Sequence, residues 1–112
     1  MKFKSVVLVT GLLSLGMTGS AFAAVDAAAA KKLAKSNDCF KCHALDKTKK
    51  GPSYKKIAIN LKKEADSENK MVKYLVNGAK VKLEDGTEDD HKVIDTKDEK
   101  EIRNLVAWIM AQ

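Results

Sequence analysis

The chain has 112 residues, 45% hydrophobic and 32% charged, and its 21 Lys and Arg outweigh 15 Asp and Glu for a formal net charge of +6. That length accommodates one domain and little else, because compact domains run to about 50–200 residues. A single arginine, Arg103, and the lack of any repeated basic-aromatic spacing argue against a nucleic-acid surface despite the positive balance.

Residues 1–23 read as a secretory signal peptide. Lys2 and Lys4 give a positive start, "SVVLVTGLLSLGM" an apolar run, and "AFA" at 21–23 the small-x-small pattern that signal peptidase reads. A membrane anchor is the rival, but Gly11 and Gly16 interrupt a run already shorter than the roughly 20 residues a spanning helix needs. Cleavage after Ala23 would leave residues 24–112 as the working domain, with no stable membrane insertion. A domain that small is expected to lean on a metal, cofactor or disulfide. Charge is uneven along it: residues 31–82 hold fifteen Lys and five acids, residues 83–103 nine acids and four bases. Such polarity suits orientation of a charged protein partner.

Asp26 can cap a helix beginning at Ala27, since its carboxylate can accept unpaired amides of the first turn. That helix leads into "CFKCH" at 39–43. Two cysteines three apart in an exported chain invite a disulfide, and thioredoxin-type sites share the spacing. The residue that follows changes the reading. In C-x-x-C-H the thiols of Cys39 and Cys42 lie one helical turn apart and can add to the two vinyl groups of a haem, while His43 reaches the iron. A thioredoxin-like site would need a βαβ scaffold, and no strong alternating strand pattern is visible. Zinc held by Cys39, Cys42, His43 and His91 is a weaker rival, because a histidine directly after the second cysteine is awkward for a tetrahedral site. The expected cofactor is one covalently bound haem c, which bacteria attach outside the cytoplasm.

Gly51 and Pro52 break the Lys-rich segment that follows, and "SYKKIAINLKK" reads as a second helix with Ile57 and Leu61 on one face. A third helix begins near Asp66 or Ser67 and stops at Asn77-Gly78, with Met71, Val72, Leu75 and Val76 as its apolar set. Next comes "EDGTEDDHKVI" at 84–94, an acidic, loop-like stretch holding His91; its spacing does not match a calcium-binding EF-hand loop. In the last helix Thr96 and Glu99 form a capping box, and Ile102, Leu105, Val106 and Ile109 recur at helical spacing. The fold class is all-α.

With "CFKCHALD", "KKGPSYKKIA", a helix ending "VNGAK" and a terminal helix ending "NLVAWIMAQ" in that order, the chain resembles the class I c-type cytochromes of the small bacterial monohaem kind. The resemblance implies about four helices around one haem, the first and last crossing, with the haem caged by the helices and the loop between the last two. It also implies that Pro52 lends its carbonyl to the outer ring nitrogen of His43, fixing the ring and strengthening it as a ligand. Trp108 and Tyr54 are expected to serve packing, as are Met71 and Met110 within their apolar patterns. Most members place a methionine ligand in the loop before the last helix. Here residues 78–96 contain none, and His91 stands seventeen residues before Trp108, about where that ligand is expected. Imidazole is a good haem-iron ligand, so the inference is bis-histidine coordination by His43 and His91, as in some periplasmic electron shuttles that resemble this family. The alternative leaves His91 as a solvated loop residue and the iron five-coordinate or bound by Lys92 or Met71, although Met71 belongs to a helix away from the distal loop.

The function implied is a periplasmic carrier of single electrons rather than an enzyme, since two strong ligands leave no open coordination position. The expected partners are redox proteins, among them outer-membrane multihaem conduits and inner-membrane oxidoreductases, met as a monomer through short-lived contacts. Two other functions stay open: a haem-based sensor with an exchangeable distal ligand, and the electron-accepting subunit of a periplasmic dehydrogenase.

Overall fold

The computed structural model describes residues 24–112; the expected signal peptide, 1–23, lies outside the described residues. Four helices and one short hairpin follow in the order α1 (Ala27–Ser36), α2 (Tyr54–Leu61), α3 (Ser67–Asn77), β1 (Lys80–Lys82), β2 (Glu88–Asp90) and α4 (Glu99–Met110). A 3₁₀ turn, Cys39–Lys41, separates α1 from α2. Among the described residues no helix is long and apolar enough to cross a membrane.

The centre of the packing is α4, which buries Ile102, Leu105, Val106, Trp108 and Ile109 and is touched by each of the other helices. Its partner α1 buries only alanines fully, Ala30 and Ala34, one turn apart, with Leu33 half-buried beside them. Small side chains at that spacing let the two backbones approach closely. The pair is clasped at the N-terminal end, where the Asp26 N–H donates to Asn104 Oδ1 at 2.9 Å and Asn104 Nδ2 donates back to the Asp26 carbonyl at 2.9 Å. Asp26 also caps α1, its carboxylate accepting from Ala29 N–H at 3.0 Å. Behind the 3₁₀ turn, Phe40, Tyr54 and Trp108 meet edge to face at centroid separations of 5.2–6.4 Å. That arrangement suits aromatic rings whose faces are negative and edges positive.

Three details differ from the sequence reading. The cap of α4 is Asp98, whose carboxylate accepts from Lys100 N–H at 2.9 Å; Thr96 instead accepts from Asp98 N–H and donates to Glu101, so the expected Thr96–Glu99 box does not form. Asp sits nearer the helix start and reaches the first-turn amides unaided. In α3 only Leu75 of the apolar set is fully buried, Met71 and Val72 are half-buried, and Val76 is 44% exposed. The third is the hairpin. The stretch read as an acidic loop supplies β2, pairing antiparallel with β1 as Lys80↔Asp90, Val81↔Asp89 and Lys82↔Glu88. Two of these pairs oppose a lysine to an acid, so the charge segregation along the chain is partly cancelled by folding. The turn is set by Gly86 at φ +85° and by Asp85, whose carboxylate accepts from the Thr87 N–H and hydroxyl. Strands of three residues, with Val81 of β1 the one half-buried position, are too short to carry an apolar alternation that could be detected.

Candidate haem-binding site

Asp38 takes the left-handed conformation at φ 58°, which ends α1 and tips the chain into the 3₁₀ turn. The turn carries Cys39, and the Cys39 carbonyl accepts from both Cys42 N–H at 3.3 Å and His43 N–H at 3.0 Å. Both thiols are half-buried and unpaired with each other. Burial pushes the Cys39 thiol above its ordinary pKa, with smaller opposing contributions from its own backbone and from Lys92. His43 follows at once, and its Nδ1–H donates to the Pro52 carbonyl at 2.6 Å. A ring committed in this way keeps its Nε2 lone pair for a metal. Burial holds the His43 ring below the ordinary imidazole pKa, the Pro52 carbonyl opposes that, and a charge on His91 would lower it further. The neutral, ligating form is favoured.

Gly51 makes this geometry possible. A Cβ there would stand 2.8 Å from His43 Cε1 and 3.2 Å from Nδ1, inside any normal contact, while the Gly51 N–H ties the loop to the Cys42 carbonyl at 2.9 Å. The sequence marks Gly51 as a break in the Lys-rich segment and as part of the family's Gly-Pro step, without its contact to His43. A glycine immediately before the proline was the available signal.

His91 directly follows β2, and its N–H extends the ladder by donating to the Ala79 carbonyl at 2.8 Å. Its Nδ1–H donates to the Lys92 carbonyl at 3.0 Å. The Tyr74 ring packs beside it at a centroid distance of 4.8 Å, much as Tyr54 lies 5.5 Å from His43. Gly78, at φ +71°, turns the chain from α3 into β1 where a Cβ would meet the His91 carbonyl at 3.2 Å. Neither Tyr74 nor Gly78 was singled out for the site.

The two histidines face one cavity of about 390 Å³, within the usual range for cofactor pockets, lined also by Cys39, Cys42 and Pro52 and by an apolar wall of Ile57, Leu75, Ile94, Leu105 and Ile109. Their ring centroids are 6.2 Å apart, a span that one metal atom bonded at about 2 Å to a nitrogen of each ring would bridge. Two thiols on one turn, two carbonyl-anchored imidazoles and a greasy wall fit an apolar macrocycle attached at one edge and ligated through its centre. Among the described residues no three His, Cys, Asp or Glu side chains group as a metal cage, so the four-donor zinc alternative finds no cluster. Met71 and Lys92 line the same cavity. Met71 belongs to α3, apart in sequence from the loop that carries His91, and is half-buried one turn before Leu75.

A cytochrome c family model matches residues 27–112. Among solved structures the chain is similar to the Class 1 cytochrome MtoD from Sideroxydans lithotrophicus ES-1, at 49% identity and a TM-score of 0.74 over 79% of this chain and 97% of that one. It is also similar to Nitrosomonas europaea cytochrome c552, as wild type (22% identity, TM-score 0.57, 71% of this chain and 95% of that one) and as a deletion mutant (22%, 0.60, 72% and 96%). At that identity the c552 likeness carries the fold alone. No match is found among curated proteins.

Proposed function

This chain belongs to the cytochrome c family, a haem c electron-transfer protein with one covalently bound haem, and from that premise we propose that it works in the periplasm as a one-electron carrier whose haem iron His43 and His91 would hold. Residues 1–23 are then the cleaved signal peptide and 24–112 the working domain. Cys39 and Cys42 would hold the haem by thioether bonds, and Pro52 orients His43. The observation that carries the reading is the pair of carbonyl-anchored imidazoles with centroids 6.2 Å apart across the cavity that Cys39 and Cys42 also line.

The bound haem supplies the chemistry, a one-electron ferric/ferrous cycle. The chain supplies the rest. Burial keeps His43 neutral, the Pro52 carbonyl fixes its ring, the apolar wall excludes water, and two strong ligands would leave no coordination position for a substrate. Redox partners meet such carriers through small, transient contacts; outer-membrane multihaem conduits and inner-membrane oxidoreductases suit a monomer of this kind.

Low-temperature electron paramagnetic resonance of the ferric protein, beside His91→Ala, tests the reading. Low-spin bis-imidazole signals in the wild type that turn high-spin in the variant are expected. If the two spectra match, or the wild type is already high-spin, His91 is a loop residue and the ligand-binding sensor becomes the better reading. Potentiometry adds a second check: imidazole in place of the usual methionine lowers the potential relative to Met/His relatives, since methionine favours the ferrous iron.

A further inference from the structure

We propose that Asn37 is a positioning residue for the distal ligand, joining the haem-attachment turn to the segment that carries His91; this rests on the His43/His91 reading above. Asn37 is 2% exposed and polar, one of the three largest fully buried side chains of the chain's described residues. Its Nδ2 donates to the Leu33 carbonyl at 3.0 Å, and its Oδ1 accepts from Asp95 N–H at 2.9 Å, across 58 residues of sequence.

Those two bonds are not equivalent. The Leu33 carbonyl also accepts from the Asn37 N–H at 3.1 Å and from the Ser36 hydroxyl at 2.9 Å, so it loses little if the side-chain amide is removed. The Asp95 N–H has no other acceptor among the described residues. The functional half of Asn37 is therefore its oxygen.

Its place in the fold gives that oxygen a role. The segment 91–95 is tied to α3 and its exit twice, by His91 N–H to the Ala79 carbonyl at 2.8 Å and by Ile94 N–H to the Leu75 carbonyl at 2.9 Å. Among the hydrogen bonds of the described residues, only Asn37–Asp95 ties it to the α1 side, where the Cys39 thiol lies 3.9 Å from the Asn37 carbonyl oxygen. One residue thus touches the thioether cysteine with its backbone and the distal segment with its side chain. Between the ring and the tie, Lys92 and Val93 are exposed, and only Ile94 is packed. Loss of the Asp95 anchor leaves α3 and its exit as the segment's hydrogen-bonded supports, so that it can carry His91 off the iron more often.

The rate at which cyanide binds the ferric holoprotein reads that opening, because the distal position must be vacant first. Asn37→Leu keeps the volume and orphans the Asp95 N–H; the expected result is a protein still low-spin at rest but binding cyanide about tenfold faster. Asn104→Leu breaks another long-range asparagine clasp, to Asp26, which has no bond to the 91–95 segment, and is expected to leave the rate within about twofold of wild type. If Asn37→Leu does not mature, Asn37→Ser, too short to reach Asp95, carries the same expectation. A rate unchanged in the Asn37 variant that matures, or equally raised by Asn104→Leu, overturns the proposal. A wild type that is high-spin, or unaltered by His91→Ala, overturns the ligand reading itself and this inference with it.

Discussion

The two halves of the proposed site, the His43 side as proximal and the His91 side as distal, are built by different means. His43 is held by residues within nine positions of it: the Cys39–Lys41 turn, Gly51 and Pro52. His91 depends on groups brought from across the chain: the Ala79 carbonyl, the Tyr74 ring, and, through Ile94 and Asp95, Leu75 and Asn37. A local device survives partial unfolding of its surroundings, whereas one assembled by tertiary contacts opens when those contacts loosen. The proximal side should therefore act as the anchor and the distal side as the weaker, more adjustable one.

The largest expected effect follows directly. His43→Ala removes the locally built ligand and should abolish recovery of stable holoprotein, while His91→Ala should mature with haem attached and differ in spin state. Haem-stained yield and the ferric absorption spectrum separate the two; equal yields would erase the asymmetry. Next comes the steric support of His43. Gly51→Ala puts a methyl group 2.8 Å from the ring and should cost about 1–3 kcal/mol in denaturant unfolding, by overpacking. Gly86→Ala, in the hairpin, meets nothing within 4 Å and should cost only the left-handed backbone penalty of about 1 kcal/mol.

That contrast also marks what could be read before folding. The C-x-x-C-H spacing, the Gly-Pro step, the Asp26 cap and the α4 periodicity are signals between near neighbours, and each α-helix lies where they put it. His91 was legible only as a histidine in a region lacking methionine. What holds it was not: three-residue strands are too short to show a period, and nothing in "KSNDC" distinguishes Asn37, whose partner is 58 residues away. The Thr96–Glu99 box failed for a different reason, since two acceptable caps stood two residues apart and Asp98, nearer the helix start, took the first-turn amide.

Alkali probes the two halves through the tyrosine beside each histidine. Burial raises the phenol of Tyr54, beside His43, with a smaller contribution from Cys39, and burial also raises that of the more open Tyr74, beside His91. Each native phenol holds its proton more tightly than the unfolded one. Their contribution to stability is therefore intact below about pH 10 and is lost as pH climbs above it, where the unfolded phenols ionise first. Tyr54→Phe should flatten the alkaline fall in stability more than Tyr74→Phe, measured as thermal midpoint against pH. The reverse order would place the tighter packing on the distal side.

The smallest effect concerns the hairpin itself. Lys80 and Asp90 are paired at 2.8 Å one residue before His91, and Lys82 faces Glu88, so the ladder looks as though charge fastens the distal ligand. Yet both members of the Lys80–Asp90 pair are about three-quarters exposed. Water and salt screen such a pair, and ordering two mobile side chains offsets what attraction remains. Raising the ionic strength, or making Lys80→Ala, should therefore change the cyanide-binding rate by less than about twofold. The backbone bonds to Ala79 and Leu75, the Ile94 side chain in the core and the buried Asn37 amide are indifferent to salt. A steep salt dependence of that rate would move control of the distal ligand from these buried ties to the charged ladder, and the two halves of the site would then differ in solvent sensitivity as well as in construction.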